Sequence, residues 1–329
     1  MDDATGGVTW RYRRVDWLLD SVPAEMLLFL EHGHNEHCHN EHCYVAEMRR
    51  AEMEQRMRAV RHWLTRPLRN SPMRVQQHWL TQPLRRVPMP ILAGNGRGLR
   101  VRVGESVIRV ATRLERRVED SFLGLLSPGD VFYDIGANIG WYSLLAARAV
   151  GPDGRVFAFE PLLENARYAQ RNAQTNGLEN MTVVPAAVTD ENGWVTLLVR
   201  GSLMSRLEKD DSEAQAERRR KRNIEFEGRR FVPATTLDSW LAETGQPAPT
   251  IVKIDVEGAE TGVLRGMRET LATAKPVLII ELHATQGDVA AELDRAGYQH
   301  SAIETDDPTR QAPNWAHILA MPAGHPARV

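Results

Sequence analysis

The chain has 329 residues, 42% hydrophobic and 26% charged, which is enough apolar side chain to bury a full core and excludes a fibrous or wholly disordered protein. Its formal net charge is −2 and its isoelectric point about 6.6, so no overall field draws it to nucleic acid or acidic lipid. Two cysteines, Cys38 and Cys43, are too few for a disulfide framework and suit a reducing, cytoplasmic setting.

Near the start, "VPAEMLLFL" contains Glu25 and falls far short of the roughly 20 residues of a membrane span. No basic segment with a small-residue cleavage site precedes it, so a soluble, cytoplasmic chain with no membrane partner is expected. His32, His34, His37, Cys38, His39, His42 and Cys43 form one cluster, whereas zinc modules space two ligand pairs around a small fold. Adventitious metal affinity is the expectation there. "HNEHC" repeats at once over 34–43, and "MRAVRHWLTRPLRNSP" (57–72) is followed by "MRVQQHWLTQPLRRVP" (73–88). Two copies are too few for a stacked array, and Pro67 and Pro83 interrupt any long helix. The segment from Arg49 to Arg97 carries eleven arginines with Trp63 and Trp79 interleaved, a pattern that leaves a polyanion-binding module open as one reading. Residues 1–90 are therefore expected to be an irregular helical or disordered extension, and 91–329 a single α/β domain.

From about Ile91 apolar strands alternate with amphipathic helices, the pattern of a doubly wound, mostly parallel sheet. "VFYDI" predicts a buried strand, "IGWYSLLAARAV" a helix, "GRVFAF" a strand, and "LLENARYAQRNAQTNG" a helix ended by Asn176-Gly177. "MTVVPAAV" predicts a third strand and "GWVTLLV" an antiparallel extension opened by a turn at Asn192-Gly193. The mixed-charge stretch 208–230 predicts a solvated loop. "TIVKIDV" then returns as a strand, "AETGVLRGMRETLATA" as a helix, "PVLIIELH" as a strand, "GDVAAELDRAGY" as a helix and "HILAMP" as a late strand.

In such a sheet the ligand sits at the carboxyl ends of the strands, and the first strand-to-helix turn meets it most closely. That turn runs from Asp134 to Gly140. Gly136 and Gly140 predict a tight bend with backbone close to the ligand, and Glu160 ends the next strand, where a carboxylate accepts both hydroxyls of a ribose. An adenosine-containing cofactor follows. A dinucleotide would set pyrophosphate against Asp134, like charge against like, so a nicotinamide-dependent dehydrogenase is the weaker alternative. An acid there suits a cationic cofactor with an ammonium group, of which S-adenosylmethionine is one.

"GDVFYDIGANIGWYSLLAA", "VFAFEPLLENARYAQRNAQTNG", "TTLDSWL", "IVKIDVEGAE" and "VLIIELH" together resemble the FkbM family of S-adenosylmethionine-dependent class I methyltransferases, over roughly residues 91–320. The resemblance implies a seven-strand Rossmann-like sheet with an antiparallel hairpin at one edge. It also implies that Asp134, Gly136, Ala137, Asn138 and Gly140 line the methionine and ribose end, Glu160 the ribose, and Ala186 or Ala187 the adenine edge. The implied partner is a small-molecule hydroxyl acceptor, such as a sugar or polyketide-type metabolite. The arginine-rich loop at 206–230 departs from the family pattern.

Methyl transfer from a sulfonium needs alignment and the removal of one proton. Asp255 and Glu257 follow one strand, Glu281 and His283 close another, and adjacent parallel strands would bring both pairs to one rim. His283, with an ordinary pKa near 6.5, is the expected base, with Asp255 orienting it or the substrate. The four are read as catalytic residues and no metal is assigned, although their oxygen and nitrogen donors leave a divalent ion open. Lys253 is expected to pair with an acid. No N-P-P-Y or D-P-P-Y element follows the fourth strand, which disfavours methylation of a nucleobase amine.

Overall fold

A computed structural model of the chain describes residues 88–102, 116–200, 204–207 and 228–324. The duplicated repeats, the His/Cys run at 32–43, most of the arginine-rich segment and most of the loop at 206–230 lie outside the described residues.

The described elements are β1 (Met89–Pro90), β2 (Arg100–Val101), α1 (Arg116–Leu125), β3 (Val131–Ile135), α2 (Trp141–Val150), β4 (Arg155–Phe159), α3 (Leu163–Thr175), β5 (Met181–Val184), β6 (Ala187–Val188), β7 (Gly193–Arg200), β8 (Met204–Leu207), β9 (Gly228–Thr235), α4 (Leu237–Thr244), β10 (Ile251–Ile254), α5 (Glu260–Arg265), α6 (Arg268–Thr273), β11 (Val277–Glu281), α7 (Gln286–Arg295), β12 (Tyr298–Ala302) and β13 (His317–Pro322). Seven strands form one sheet in the order β12-β13-β11-β10-β3-β4-β5. Only β13 runs antiparallel to its neighbours β11 and β12. This is the doubly wound sheet with an antiparallel edge that the sequence leads one to expect.

Alternate residues along each central strand enter opposite cores, which is why these strands read as unbroken apolar runs. Phe132, Val156, Ala158, Ile251 and Ile279 pack with α1 and α2 on one face. Tyr133, Phe157, Phe159, Val252 and Leu278 pack on the other, among residues of α4, α5 and α7. Chain order reverses between β3 and β10: from β3 the chain steps outward through β4 and β5, and from β10 it steps the other way to β11. The carboxyl ends of β3 and β10 therefore flank the crevice.

Several expectations need correction. "MTVVPAAV" is two strands, because proline lacks a backbone donor and the chain leaves the main sheet at Pro185; β6 pairs in parallel with β9 instead. The turn at Asn192-Gly193 does not close a hairpin, since β6 and β7 both flank β9 and never meet. Asn192 instead accepts from the Thr236 amide (2.8 Å) at the start of α4. "GWVTLLV" is antiparallel as expected, but within a separate four-stranded sheet, β6-β9-β7-β8. Gly228, Arg229 and Arg230, read as loop, are strand residues of β9. The predicted helix "AETGVLRGMRETLATA" is divided into α5 and α6. A Cβ on Gly266 would stand 2.0 Å from the Thr189 carbonyl oxygen, so the chain kinks here, and Asp238 accepts from the amides of Glu269 and Thr270 to start α6 afresh. "GDVAAELDRAGY" stops as a helix at Arg295, Gly297 is left-handed at φ 75°, and Tyr298 begins β12.

Gly266→Ala should destabilise the fold by about 3 kcal/mol, because the clash is with backbone. Gly124→Ala, on the exposed side of α1 with open space at its Cβ, should stabilise it by about 0.5–1 kcal/mol. Chemical denaturation of both variants checks the opposite signs.

Candidate active site

The turn after β3 is built by backbone that side chains resist. Gly136 (φ 88°), Asn138 (φ 52°) and Gly140 (φ 85°) are all left-handed. The amides of Gly136 and Ala137 both donate to the Phe159 carbonyl at 2.9 Å, pinning the turn to the end of β4. The tight bend is as expected, and the room a side chain would need at these glycines is filled by protein. A Cβ on Gly136 would lie 1.9 Å from the Asp255 carbonyl oxygen, and one on Gly140 would press on Ala169 and Met181 at 3.1 Å.

Glu160, 4% exposed, closes the other side. Its Oε2 accepts from the Asn138 amide and its Oε1 from the Leu162 amide, each at 2.9 Å. A carboxylate has about four acceptor positions, so capacity remains for further donors. Burial pushes its carboxyl up to about 7, against those amides. Asp134, 1% exposed, accepts from Ser143 Oγ of α2 at 2.5 Å. Burial raises its carboxyl as well, opposed by the charge of Lys253. Asn138 Oδ1 is buried with no hydrogen-bond partner.

Asp134, Gly136, Ala137, Asn138 and Glu160 line one cavity of about 160 Å³, together with Ala186 and Ala187; Gly140, expected among them, is not on its wall. Its wall also takes residues that the sequence did not single out. Asn95 of the β1–β2 turn donates to Glu119 Oε2 of α1 at 3.2 Å, and Trp141 Nε1 donates to Glu119 Oε1 at 2.8 Å. The run "GNGRG" signals the turn; nothing local marks Glu119.

The rim beyond the cavity gathers all four expected catalytic residues. Asp255 and Glu257 line the cavity; Glu281 and His283 stand next to them but are not part of its wall. Lys253, 2% exposed, lies 3.0 Å from Asp255 Oδ2 and 4.6 Å over the Tyr142 ring, so it pairs with an acid as expected. Burial alone would raise the Asp255 carboxyl, but Lys253 and His283 hold it well below the usual range. His283 Nδ1 lies 2.9 Å from Glu260 Oε1, and Glu260 is fully buried at the start of α5. The opposite nitrogen, Nε2, faces Glu257 Oε2 at 3.5 Å, Glu281 Oε1 at 3.6 Å and Asp255 Oδ1 at 4.0 Å.

Those neighbours bear on the protonation of His283. Burial favours the neutral ring, but the hydrogen bond and charge of Glu260, with Glu257 and Asp255, push it up to about 10. That balance favours the imidazolium and works against His283 as the base. Glu257 (φ 53°) and Ala284 (φ 70°) are left-handed non-glycine residues beside the rim, a strain of about 1–3 kcal/mol each that the surroundings must hold.

Comparison with known proteins gives a concordant result. The family model described as the methyltransferase FkbM domain matches residues 134–300. The 2-O-methyltransferase NoeI of Sinorhizobium fredii is 28% identical over 165 residues, 48% of this chain and 66% of that protein. The hexuronic acid methyltransferase AglP of Haloferax volcanii is 30% identical over 158 residues, 47% of this chain and 56% of that protein. The 31-O-demethyl-FK506 methyltransferase FkbM of Streptomyces tacrolimicus is 30% identical over 207 residues, 56% of this chain and 77% of that protein. The match to the first two spans under two thirds of their lengths.

The raised Glu160 carboxyl has a consequence for stability. An acid whose folded pKa lies above its unfolded value favours the fold below the unfolded value, near 4.5, and loses that contribution as pH rises through about 7. Between about pH 5 and pH 8 the unliganded protein should therefore lose up to about 3 kcal/mol relative to Glu160→Gln, whose profile lacks this slope. Urea denaturation of both proteins across that range checks it.

Proposed function

This chain belongs to the FkbM methyltransferase family, and we propose that it transfers a methyl group from S-adenosylmethionine to a hydroxyl oxygen of a small sugar or polyketide-type molecule. The observation that carries the reading is the pair of buried carboxylates, Asp134 and Glu160, on one cavity at the point where strand order reverses. Buried anions call for a cation or for hydrogen-bond donors, and a sulfonium nucleoside with an ammonium tail and two ribose hydroxyls offers both. The unpartnered Asn138 Oδ1 is a further acceptor on the same cavity, suited to an N–H or O–H of the ligand.

In this reading Asp134 and Asn138 hold the amino-acid end, Glu160 the ribose, and Ala186 with Ala187 the edge of the adenine. When bound, the cofactor supplies an electrophilic methyl carbon. The protein's own work is alignment, worth up to roughly 7–11 kcal/mol when reacting atoms are held in line, and acceptance of one proton. With His283 already protonated, we assign that proton to Glu257, which lines the cavity, while Asp255 orients the hydroxyl. Glu281 and His283 set the charge around both. The acceptor class follows the printed names of NoeI, AglP and FkbM, whose activities are 2-O-methyl transfer, hexuronic acid methylation and 31-O-methylation. Among the described residues no helix is long and apolar enough to cross a membrane, and we place the reaction in the cytoplasm.

Isothermal titration with S-adenosylmethionine and its demethylated product should show saturable binding of both and none of NADH. Glu160→Ala should weaken that binding by roughly 1–3 kcal/mol. Binding of NADH with neither nucleoside would overturn the reading.

A further inference from the structure

We propose that the rim at the ends of β10 and β11 is a divalent-cation site, with Asp255, Glu281 and His283 as ligands and Glu257 able to complete the set. The inference that a cation binds stands on donor geometry; its role, placing and polarising the acceptor hydroxyl, rests on the O-methyl transfer reading above.

One donor atom from each of Asp255, Glu281 and His283 lies within 4.8 Å of the others. Nε2 of His283 is 3.5 Å from Glu257 Oε2, 3.6 Å from Glu281 Oε1 and 4.0 Å from Asp255 Oδ1. Ligands held about 2.0–2.2 Å from one ion lie about 3.0–3.5 Å apart when adjacent and about 4.2 Å apart when opposite. The distances from Nε2 are thus close to those of a ligand set, and the three residues need to draw together only modestly to close on a cation.

The surroundings are those of a ligand set and not merely of an acidic patch. A metal-binding histidine is usually fixed by a carboxylate on its other nitrogen. Here Glu260, fully buried, takes Nδ1 of His283 and is itself held by the Gly258 amide and Thr285 Oγ1, both at 2.8 Å. That directs the Nδ1 proton to Glu260 and turns Nε2 to the three carboxylates, where a cation would take the place of the Nε2 proton. Behind Glu281, His317 is 3% exposed, and its Nδ1 lies 2.7 Å from Glu304 Oε1. Its buried Nε2 lies 3.4 Å from Glu281 Oε2, an ion pair that holds this carboxylate from behind and leaves Oε1 toward His283.

Charge points the same way. Asp255, Glu257, Glu281 and Glu260 bring four carboxylates with side chains at most 20% exposed, against the Lys253 ammonium, which pairs with Asp255 Oδ2 and leaves Oδ1 toward His283, and the His317 ring beside Glu281. Three carboxylates with one imidazole favour a hard ion that accepts nitrogen, which selects Mn²⁺ among the common divalent cations. Asp255 and Glu257 also line the cavity, so an ion between them and His283 lies where an acceptor oxygen can reach it.

The test uses the full chain after chelator treatment, with Mn²⁺ alone as the probe; the His/Cys run at 32–43 favours softer ions. Calorimetry and electron paramagnetic resonance should show Mn²⁺ bound without any cofactor. Glu281→Gln and His283→Gln should each weaken that binding at least about tenfold while circular dichroism stays unchanged. Glu257→Gln, at the more open edge of the rim, should weaken it less and serves if the inner variants fail to fold. No saturable Mn²⁺ binding by the wild-type chain, or binding that none of the three variants alters, overturns the proposal. Mn²⁺ binding by a chain that ignores S-adenosylmethionine would leave the site standing and remove its methyl-transfer role.

Discussion

One buried ammonium sets the terms for the carboxyl edge of this sheet. Lys253 sits in β10 directly opposite Asp134 of β3, and the neighbouring strand β11 ends at Glu281. Burial works against its charge, yet Asp255, Asp134 and Glu281 together keep it protonated. Three adjacent strands thus bring anions to one cation. Breaking such a buried pair by removing one member typically costs about 3–5 kcal/mol, because the survivor keeps its charge without a partner. A doubly wound sheet places every parallel strand end on the same side, so any such enzyme that uses several carboxylates has to supply compensating charge there.

The turn after β3 and the rim at the ends of β10 and β11 are mechanically one object. Gly136 lies against the Asp255 carbonyl so closely that no Cβ fits, and Asp255 in turn donates its amide to the Ile135 carbonyl. Asn138 is tied to Glu160, and Gly136 and Ala137 to Phe159, so β3, β4 and β10 share their loops. A shift of the turn moves Asp255 with it. Interiors at near-crystalline density transmit such displacements and do not absorb them, so the cavity and the rim keep a fixed relation.

What could be read from the sequence follows from how local each signal is. β3, β4, β10 and β11 are buried on both faces and announce themselves as apolar runs, and α2 and α3 follow from their periodicity. That Asp134, Glu160, Asp255 and Glu257 share one cavity is legible because each stands at or just beyond a strand end on the same side of the sheet. The division of "MTVVPAAV" was less visible because an apolar run looks the same in either sheet. The break between α5 and α6 depends on Thr189, 77 residues before Gly266, and no window of sequence contains both. The same distance argument applies to the charge state of His283. Its expected pKa assumed an ordinary environment, whereas Glu260, 23 residues earlier, reaches its Nδ1 only in the fold. Glu119 and the Asn95 turn were missed for a like reason, joining the cavity wall through long-range hydrogen bonds.

The distribution of charge also bears on the choice between a sulfonium cofactor and a dinucleotide, a choice that a fold of this class leaves open. Two unit charges 4 Å apart interact by about 4 kcal/mol at the effective dielectric of a protein site. A pyrophosphate against Asp134 would carry that sign against binding, and the backbone amides that usually offset it are committed here: Gly136 and Ala137 to Phe159, Asn138 to Glu160, Gly140 to the Ala137 carbonyl. A cationic nucleoside meets the opposite balance, gaining from Asp134 what the pyrophosphate would lose. The turn retains the glycines of a phosphate loop, but its amides hold the protein together, and what faces the cavity is carboxylate.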